Sequence, residues 1–409
     1  MSTALRPAAV AGLFYPSDPT ELRASVQRTL ADAPEGNARV VVAPHAGHEF
    51  SGHLAARAVA ALDPGLERIA VLGPNHRVPY RGMCTPGAEL LATPLGEVAV
   101  WEPVAIPASE RVHRNEHCIE VELPFIQVRF PRASVFPVVV AEEPEPVAEL
   151  IRVVLEDPKA GLIISSDMSH FLPAGLAERT DAQTLAAVAE FQQIGENGAC
   201  VRMAWDGLTR YAASCGLAPE VLGRAHSGEV SGDNGSVVGY AAVAYRDVGE
   251  QLPALARAAI KGEQLDLHHP WLRCPGASFV TLTQNGRLRG CIGALEAYQP
   301  LAEDVAAHAR AAAFGDPRFP PLGPDESFEV EVSVLCPQRS LGRLTYEEAL
   351  QAIRPGLGVT LGGGATFLPQ VWEELPEPRQ FLDHLVAKAD WRSWPDPEVF
   401  TYTVRSWHE

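Results

Sequence analysis

Histidines follow three separate apolar runs in the first half of the chain, and each stands in a turn-forming segment. His45, His76 and His170 come after these runs, and Asp167 stands between the last run and His170. A neutral imidazole is the side chain that most often binds metals, and two histidines with one carboxylate leave coordination positions open on Fe(II). These residue types and their spacing therefore predict a metal-dependent active site.

The apolar runs that carry these histidines alternate with amphipathic helical patterns. The predicted strands are 39–44, 68–73, 135–140, 162–167 and 236–245, and the predicted helices are 52–62, 119–130, 146–156 and 176–193. Apolar strands separated by helices are typical of an α/β domain, in which helices cover both faces of a mostly parallel sheet. Ligands bind beyond the carboxyl ends of such strands, so we expect the histidines to meet at one edge of the sheet.

The pattern changes near residue 248, where a different mixture of elements begins. Asn285-Gly286 between two short β-branched runs is a strong hairpin signal. Short strands and helices then follow one another in an α+β pattern. A chain of 409 residues is long enough for two or three domains. We therefore predict an α/β domain over residues 1–248 and a smaller α+β domain over residues 249–409.

Acidic segments of the first half offer a third metal ligand and partners for catalysis. Glu229 and Asp233 come shortly before the last predicted strand, and either carboxylate could complete the ligand set. His170 is the candidate general acid or base, because an imidazole titrates near neutral pH, and Asp167 would orient it. His117 stands among glutamates at a predicted helix start, where it either belongs to a capped helix end or points into the cleft.

In the second half, one cysteine and two arginines are the candidates for chemistry. Cys291 stands between two glycines, and Arg289 is close enough in the sequence to favour a reactive thiolate. The same pattern also fits a small buried cysteine beside glycines that the backbone requires. Arg318 stands in a proline-rich loop with aromatic residues and could bind an anion. These three residues are the expected substrate contacts of the second domain.

The composition argues against some classes of protein. A formal net charge of −18 disfavours coating of nucleic acid through bulk electrostatics, although a local arginine-lined groove stays open. The apolar stretches fall far short of the ~20 residues that a membrane span needs, and the first residues lack a signal-peptide pattern. We therefore expect a cytoplasmic protein. The seven cysteines are scattered without a C-x-x-C pair, which predicts reduced thiols and no structural zinc site.

The ordered motifs of the first half resemble the Memo family. They are Gly12-Leu13-Phe14-Tyr15-Pro16, Ala43-Pro44-His45-Ala46-Gly47, Leu72-Gly73-Pro74-Asn75-His76, Glu116-His117-Cys118-Ile119-Glu120, Ser165-Ser166-Asp167-Met168-Ser169-His170 and Val238-Gly239-Tyr240-Ala241-Ala242. That family's fold is similar to the class III extradiol dioxygenases of the LigB type, which open catechol rings with Fe(II). The resemblance implies metal ligands at His45 and His76, with Asp167 and His170 lining the same pocket.

The resemblance also bears on the third ligand. Memo proteins of animals have a cysteine as third ligand in the segment before the final strand, and the aligned stretch here has none. The alignment places Glu229 at that position, with Asp233 as the alternative. A glutamate there would restore the two-histidine, one-glutamate set of the dioxygenases.

The second half resembles the AMMECR family through four motifs. They are Leu288–Gly293, Asp316–Leu322, Glu331–Leu335 and Thr366–Val371. In prokaryotes the two modules, fused or separate, travel with a radical SAM protein as the AmmeMemoRadiSam system. The resemblance thus implies a radical SAM partner and a shared pathway, for which we expect tRNA hypermodification of the methylthio-adenosine type.

The leading hypothesis is a metal-dependent oxidoreductase or transferase that uses Fe(II), with Zn or Cu as alternatives. His45, His76 and Glu229 would hold the metal, and the second domain would recognise the substrate. Two other hypotheses stay open. One is a non-catalytic scaffold with a vestigial pocket that assembles with the radical SAM protein, and the other is a zinc hydrolase whose metal activates water.

Overall fold

A computed structural model describes residues 4–263, 268–362 and 364–409 of the chain. Its residues fall into two compact units, which we call the N-terminal unit and the C-terminal unit. The N-terminal unit runs to Ala212 and includes Leu217–Arg246, and the C-terminal unit holds Ala213–Gly216 and Asp247–Glu409. The main division therefore lies between residues 246 and 247, beside the boundary that the sequence pattern predicts at residue 248.

A mixed sheet forms the centre of the N-terminal unit. The strands of this unit are β1 (Leu5–Arg6), β2 (Val40–Ala43), β3 (Arg68–Gly73), β4 (Gly82–Cys84), β5 (Leu90–Thr93), β6 (Gly96–Ala99), β7 (Ser134–Ala141), β8 (Ala160–Ser165), β9 (His170–Leu172), β10 (Leu217–His226) and β11 (Val237–Asp247). The order in the sheet is β10-β11-β2-β8-β3-β7-β4, with β9 on β11. Strands β2, β8, β3 and β7 are parallel, whereas β11 and β4 run antiparallel to their neighbours. The predicted mostly parallel sheet is thus parallel at its centre and antiparallel at its flanks.

Helices cover both faces of this sheet. They are α1 (Pro19–Ala31), α2 (His48–Ala60), α3 (Glu110–His113), α4 (Leu123–Arg129), α5 (Pro144–Leu155), α6 (Ala174–Ala189), α7 (Arg202–Cys215) and α8 (Gly228–Ser231). Every residue of β2 is buried, and successive side chains alternate between two apolar clusters. Val41 and Ala43 pack with residues of α1, α2 and α4, whereas Val40 and Val42 pack with residues of α5 and α7. Burial on both sides explains why these strands read as continuous apolar runs.

The parallel centre of the sheet brings two of the predicted site residues to the same edge. His45 comes two residues after the end of β2, and His76 comes three residues after the end of β3. Both strands run parallel to β8, so their carboxyl ends lie at the same side. Gly73 ends β3, and a Cβ at this position would lie 2.4 Å from Cys118 Sγ. Only glycine therefore permits the segment around Cys118 to approach this strand end so closely.

The C-terminal unit contains two antiparallel sheets. Its strands are β12 (Ala277–Gln284), β13 (Arg287–Gly293), β14 (Glu329–Leu335), β15 (Arg339–Arg343), β16 (Gly358–Leu361), β17 (Ala365–Phe367), β18 (Glu398–Tyr402) and β19 (Val404–His408). Its helices are α9 (Leu252–Lys261), α10 (Leu301–Phe314), α11 (Tyr346–Ala352), α12 (Val371–Glu374) and α13 (Pro378–Lys388). The strand orders are β13-β12-β14-β19 and β15-β18-β16-β17. The predicted hairpin at Asn285-Gly286 is confirmed, because both residues have positive φ and β12 pairs with β13 across them.

One pair of cysteines differs from the expectation of reduced thiols. Cys215 and Cys336 form a disulfide within the C-terminal unit, and their Cα atoms are 5.3 Å apart. The fold joins two positions that are 121 residues apart in the chain, which explains why local spacing gave no sign of the pair. The other five cysteines are free.

Among the residues that the structure describes, no helix has the length and the apolar composition that a bilayer span requires.

Candidate metal centre

Three imidazoles converge at the carboxyl edge of the sheet. One ring nitrogen each of His45, His76 and His117 could bind a metal ion, and these three nitrogens all lie within 4.8 Å of one another. The ring centroids of His76 and His117 are 4.7 Å apart in a stacked arrangement, and both rings lie edge-on to His45 at 5.2 and 5.4 Å. Three nitrogen donors this close to one another form a candidate metal centre.

Hydrogen bonds fix which nitrogen of His45 faces the centre. Nδ1 lies 2.9 Å from Ser165 Oγ, and this hydroxyl donates its own hydrogen to the carbonyl oxygen of Cys118 at 2.7 Å. Because the serine has one hydrogen, His45 Nδ1 must be the donor, and Nε2 retains its lone pair. Burial, followed by the proximity of His76 and His117, lowers the pKa of His45 well below its ordinary value. His45 is therefore a neutral imidazole that is ready to bind a cation.

A buried carboxylate orients the other two imidazoles. Glu116 accepts hydrogen bonds from His76 Nδ1 at 2.8 Å and from the backbone N–H groups of His76 and His117 at 2.7 and 2.9 Å. Nδ1 of His117 lies 3.2 Å from the same carboxylate. Burial opposes the charge of Glu116, but the bonds from His117 and His76 outweigh it and hold its pKa well below the usual range. A carboxylate that holds Nδ1–H of a histidine leaves Nε2 for a metal.

Cys200 is also at this centre, although the sequence patterns did not single it out. Its Sγ lies 3.5 Å from His45 Nε2 and accepts the backbone N–H of Asp167 at 3.2 Å. Burial raises the pKa of Cys200 to about 12, so the free thiol is neutral in the absence of a cation. The sulfur is a soft donor beside His45 Nε2, whereas the group whose atoms all lie within 4.8 Å of one another consists of the three histidines.

Asp167 lies beside His45, whereas its predicted role is to orient His170. One carboxylate oxygen accepts the backbone N–H of His45 at 2.8 Å, and the other lies 4.0 Å from His45 Nε2. Asp167 is 6% exposed, and its burial raises its pKa to about 7. The carboxyl group therefore holds the backbone that carries His45 and also faces the candidate centre.

His170 occupies a strand next to this centre. It begins β9, which pairs with Val238 of β11, and its Nδ1 donates to the carbonyl oxygen of Met168 at 2.8 Å. Burial first, and then nearby His76, lower the pKa of His170. Nε2 of the neutral ring can accept a proton, which agrees chemically with the role of general acid or base that remains predicted for it.

The two acidic candidates for the third ligand lie elsewhere. Glu229 is exposed on α8, and its carboxylate accepts the backbone N–H of His226 at 3.0 Å. Asp233 is also exposed and accepts the N–H of Gly235 at 2.8 Å. Each carboxylate thus accepts a backbone hydrogen bond within its own loop. Neither joins a group of candidate ligands in the described residues. Glu229 therefore stays a prediction, while His117 is the residue whose ring nitrogen lies with those of His45 and His76.

Two signals in the sequence could have pointed to His117 and Cys200. His117 directly follows Glu116, and a carboxylate beside a histidine is a common device for orienting a metal ligand. Cys200 comes just before α7 and therefore precedes both β10 and β11. The resemblance placed a cysteine ligand in the segment directly before the final strand, and Cys200 lies outside that segment. A search of the longer stretch between β9 and β11 for a thiol would have found it.

The predicted substrate contacts of the second half, Arg289, Cys291 and Arg318, are held by hydrogen bonds and ion pairs within the C-terminal unit. Arg289 forms an ion pair with Glu326 at 2.5 Å. Arg318 forms one with Asp316 at 2.7 Å and donates to the carbonyl oxygen of Cys291 at 3.1 Å. The backbone N–H of Cys291 in turn donates to Asp316 at 2.9 Å. These contacts hold the Arg318 loop against the end of β13.

The N-terminal unit is thus an α/β unit with a group of potential metal ligands at the carboxyl edge of its sheet. The chain matches the family described as Memo-like protein over residues 6–244, and it matches the family described as AMMECR1 over residues 253–407. The chain therefore belongs to the Memo family and carries an AMMECR1 region after it, as the sequence motifs predicted.

Curated relatives support this assignment. A MEMO1 family protein of Methanosarcina barkeri is 32% identical over 271 residues, which cover 58% of this chain and 99% of that protein. A MEMO1 family protein of Methanopyrus kandleri is 33% identical over 287 residues, which cover 59% of this chain and 99% of that protein.

A solved structure is similar as well. The crystal structure of an uncharacterized protein from Pyrococcus horikoshii is 32% identical and covers 39% of this chain and 91% of that chain, with a TM-score of 0.36.

Proposed function

We propose that the N-terminal unit is a metal-dependent enzyme that holds a redox-active divalent metal, with iron as the expected ion. The observation that supports this proposal is the convergence of His45, His76 and His117, whose ring nitrogens lie within 4.8 Å of one another. Two of these rings are oriented through Nδ1 by Ser165 and Glu116, so their Nε2 lone pairs are available at the centre. Oriented, neutral nitrogen donors are the usual ligands of transition metals.

The donor chemistry fits such an ion. Nitrogen and sulfur donors suit iron, copper and zinc, whereas magnesium and calcium prefer oxygen ligands. His45 and His76 would hold the metal, with Cys200 or His117 as the third donor. The thiol of Cys200 would bind as a thiolate, because a coordinating cation removes its proton despite the raised pKa.

The surrounding residues supply positioning and proton transfer. A bound iron would supply Lewis acidity and one-electron chemistry. His45 is 1% exposed, so bulk water has little access to that side of the centre. Asp167 and Ser165 fix the backbone and the ring of His45, while His170 can accept a proton at Nε2 because its Nδ1–H is held by Met168. These roles match a site that binds a substrate beside a metal and moves a proton.

Anaerobic purification with elemental analysis and iron spectroscopy tests the proposal. We expect about one metal ion per wild-type chain and little metal in His45→Ala. The control is His384→Ala, which removes an exposed histidine of the C-terminal unit and should bind metal as the wild type does. Equal metal content in wild type and His45→Ala, or none in the wild type, would refute the assignment. Stoichiometric zinc without a redox-active metal would favour a hydrolase instead.

The same measurement identifies the third donor. Cys200→Ser and His117→Ala each remove one candidate, and Glu229→Ala removes the carboxylate that the sequence alignment favoured. We expect Glu229→Ala to retain its metal, because its carboxylate is bound within its own exposed loop. Loss of metal in Glu229→Ala with full retention in the other two variants would restore the glutamate as a ligand.

A finer part of the proposal concerns the pathway. We propose that the enzyme works with a radical SAM protein in tRNA hypermodification of the methylthio-adenosine type, and the resemblance to the AmmeMemoRadiSam modules supports this. Oxidative chemistry of the extradiol dioxygenase type is the expected reaction class. Nucleoside analysis of total tRNA from a deletion strain tests the pathway, and the loss of a sulfur-modified adenosine is expected. An unchanged nucleoside profile would remove the tRNA substrate from the proposal.

A further inference from the structure

We propose that the substrate binds in a cleft beside the candidate metal centre and carries an oxyanion, a carboxylate or a phosphate, that Arg77 and Arg202 hold. This inference rests on the proposed function, because it assumes that His76 and Cys200 belong to the active site. Both residues line the cleft, which has a volume of about 700 Å³. Pockets of roughly 300–1,000 Å³ accommodate small molecules and cofactors. A molecule in this cleft would therefore lie next to the metal.

Arg77 places an uncompensated positive charge in this cleft. It directly follows His76 and is exposed. Within the part of the chain that the structure describes, no acidic side chain lies within ion-pair distance of Arg77. By contrast, Arg152 of the same unit is bonded to Glu149 and Glu156. An arginine without an acidic partner beside a candidate ligand is available to an anion from solution.

Arg202 contributes a second guanidinium. Its side chain is 28% exposed, and its ion pair with Asp206 is long, at 3.8 Å. The carboxylate of Asp206 also accepts the backbone N–H of Ile194 at 2.8 Å, so it is shared with the main chain. Arg202 begins α7, whose positive dipole end adds to its charge. Most of the hydrogen-bonding capacity of this guanidinium is thus free for a ligand.

The charge of the cleft differs from that of the whole chain. The sequence has 51 acidic and 33 basic residues, whereas two arginines and one acid, Glu196, line the cleft. A local excess of positive charge in an acidic protein attracts anions to that place. Guanidinium groups match carboxylates and phosphates particularly well, because they can donate two parallel hydrogen bonds. The geometry and the charge therefore favour a substrate with an oxyanion.

Isothermal titration calorimetry on the full chain tests this inference with two probes, inorganic phosphate and acetate, at constant ionic strength. We expect the wild type to bind at least one probe and the double variant Arg77→Gln/Arg202→Gln to bind it at least tenfold more weakly. Arg81→Gln is the matched control, because Arg81 is exposed and lies outside the lining of the cleft. Preference for phosphate assigns a phosphate ester as substrate, and preference for acetate assigns a carboxylic acid.

Two results would overturn the inference. One is equal affinity in the double variant and the wild type, or no binding of either probe by the wild type. The other is binding that disappears when a chelator removes the metal, since the anion would then be bound by the metal alone. Metal content is measured on the same samples. Metal binding without arginine-dependent anion binding rejects only this inference, whereas anion binding by a chain that never binds metal rejects the proposed function.

Discussion

The two units each contain a cluster of polar motif residues, but the clusters differ in where their donors and acceptors point. In the N-terminal unit, His45 and His76 are held through Nδ1, and one ring nitrogen of each lies within 4.8 Å of the other and of His117. In the C-terminal unit, Arg289 is paired with Glu326, and Arg318 is paired with Asp316. The first cluster has unused donor atoms that converge, and the second cluster is largely satisfied by its own members. Donor and acceptor atoms that converge without protein partners are typical of a binding site, whereas ion pairs within a cluster stabilise the fold.

A second polar cluster of the C-terminal unit is also bonded within itself. Ser278, Asp304 and His308 are the residue types of a hydrolytic triad, and all three are buried. However, the carboxylate of Asp304 binds Ser278 Oγ directly at 2.6 Å and its backbone N–H at 2.8 Å, while His308 Nδ1 lies 3.1 Å from the same oxygen. In a catalytic triad the histidine separates the serine from the acid. This cluster therefore anchors the start of β12 to α10.

The largest expected effect breaks this anchor. Asp304→Ala removes a buried acceptor and leaves Ser278 with two unpaired donors, which should lower the free energy of unfolding by about 3 kcal/mol or more. Denaturant unfolding measures the change, and Glu303→Ala is the control, because Glu303 is exposed on the same helix. Metal content should not change. A variant as stable as the wild type would contradict the role of Asp304 as an anchor.

The pH dependence of stability provides an independent check on the same residue. Burial raises the pKa of Asp304, but hydrogen bonds from His308, Ser278 and Gln299 outweigh burial and lower it overall. A carboxylate with a lowered folded-state pKa stabilises the protein above its unfolded pKa, and this contribution is lost as the pH falls through the folded value. The free energy of unfolding should therefore fall less steeply with decreasing pH in Asp304→Asn than in the wild type. Identical pH dependence in the two proteins would contradict this contribution of Asp304.

His76→Ala should have the largest effect on metal binding. Removing a residue that orients a ligand typically costs 10–100-fold in affinity, so removing a ligand should cost more than about 100-fold. Stability should also fall, because the variant removes the hydrogen bond from His76 Nδ1 to the buried carboxylate of Glu116. Competition with a chelator of known affinity measures the effect. His53→Ala, an exposed histidine on α2, should bind metal as the wild type does, and a similar loss in both variants would point to a nonspecific effect.

Glu116→Gln should have a smaller effect at the same centre. The amide cannot accept two histidine hydrogen bonds as a charged carboxylate does, so metal affinity should fall by about 10–100-fold. Chelator competition again provides the measurement, with Glu110→Gln as the control because Glu110 is exposed. Unchanged affinity in Glu116→Gln would show that the carboxylate does not support the ligands.

The smallest effect is expected in the C-terminal unit. Arg318→Ala removes an ion pair whose arginine is 54% exposed, so unfolding free energy should fall by about 1 kcal/mol or less. Metal content and the affinity for phosphate should not change. A large loss of enzymatic turnover with intact metal binding would instead support the prediction that Arg318 contacts the substrate, and would remove the contrast between the two clusters.

Local patterns predicted the elements of the central sheet well. The strands β2, β3, β7, β8 and β11 and the helices α2, α4, α5 and α6 all correspond to segments that the hydrophobic periodicity indicated. Short strands such as β4 and β9 were missed, because three residues carry too little periodicity to detect. The antiparallel direction of β11 was also missed, since apolar content alone does not encode strand direction.

The sequence by itself determined that His45 and His76 lie at one edge of a sheet, because each follows a buried strand within a regular alternation of strands and helices. Only the tertiary structure decided what joins them. His117 reaches His76 through Glu116, 40 residues away in the chain, and Cys200 reaches His45 across 155 residues. The physical reason is that periodicity reports burial within one element, whereas the partners at a site depend on how distant segments pack. Gly73 is an example, because its lack of a side chain lets the segment of Cys118 approach the end of β3.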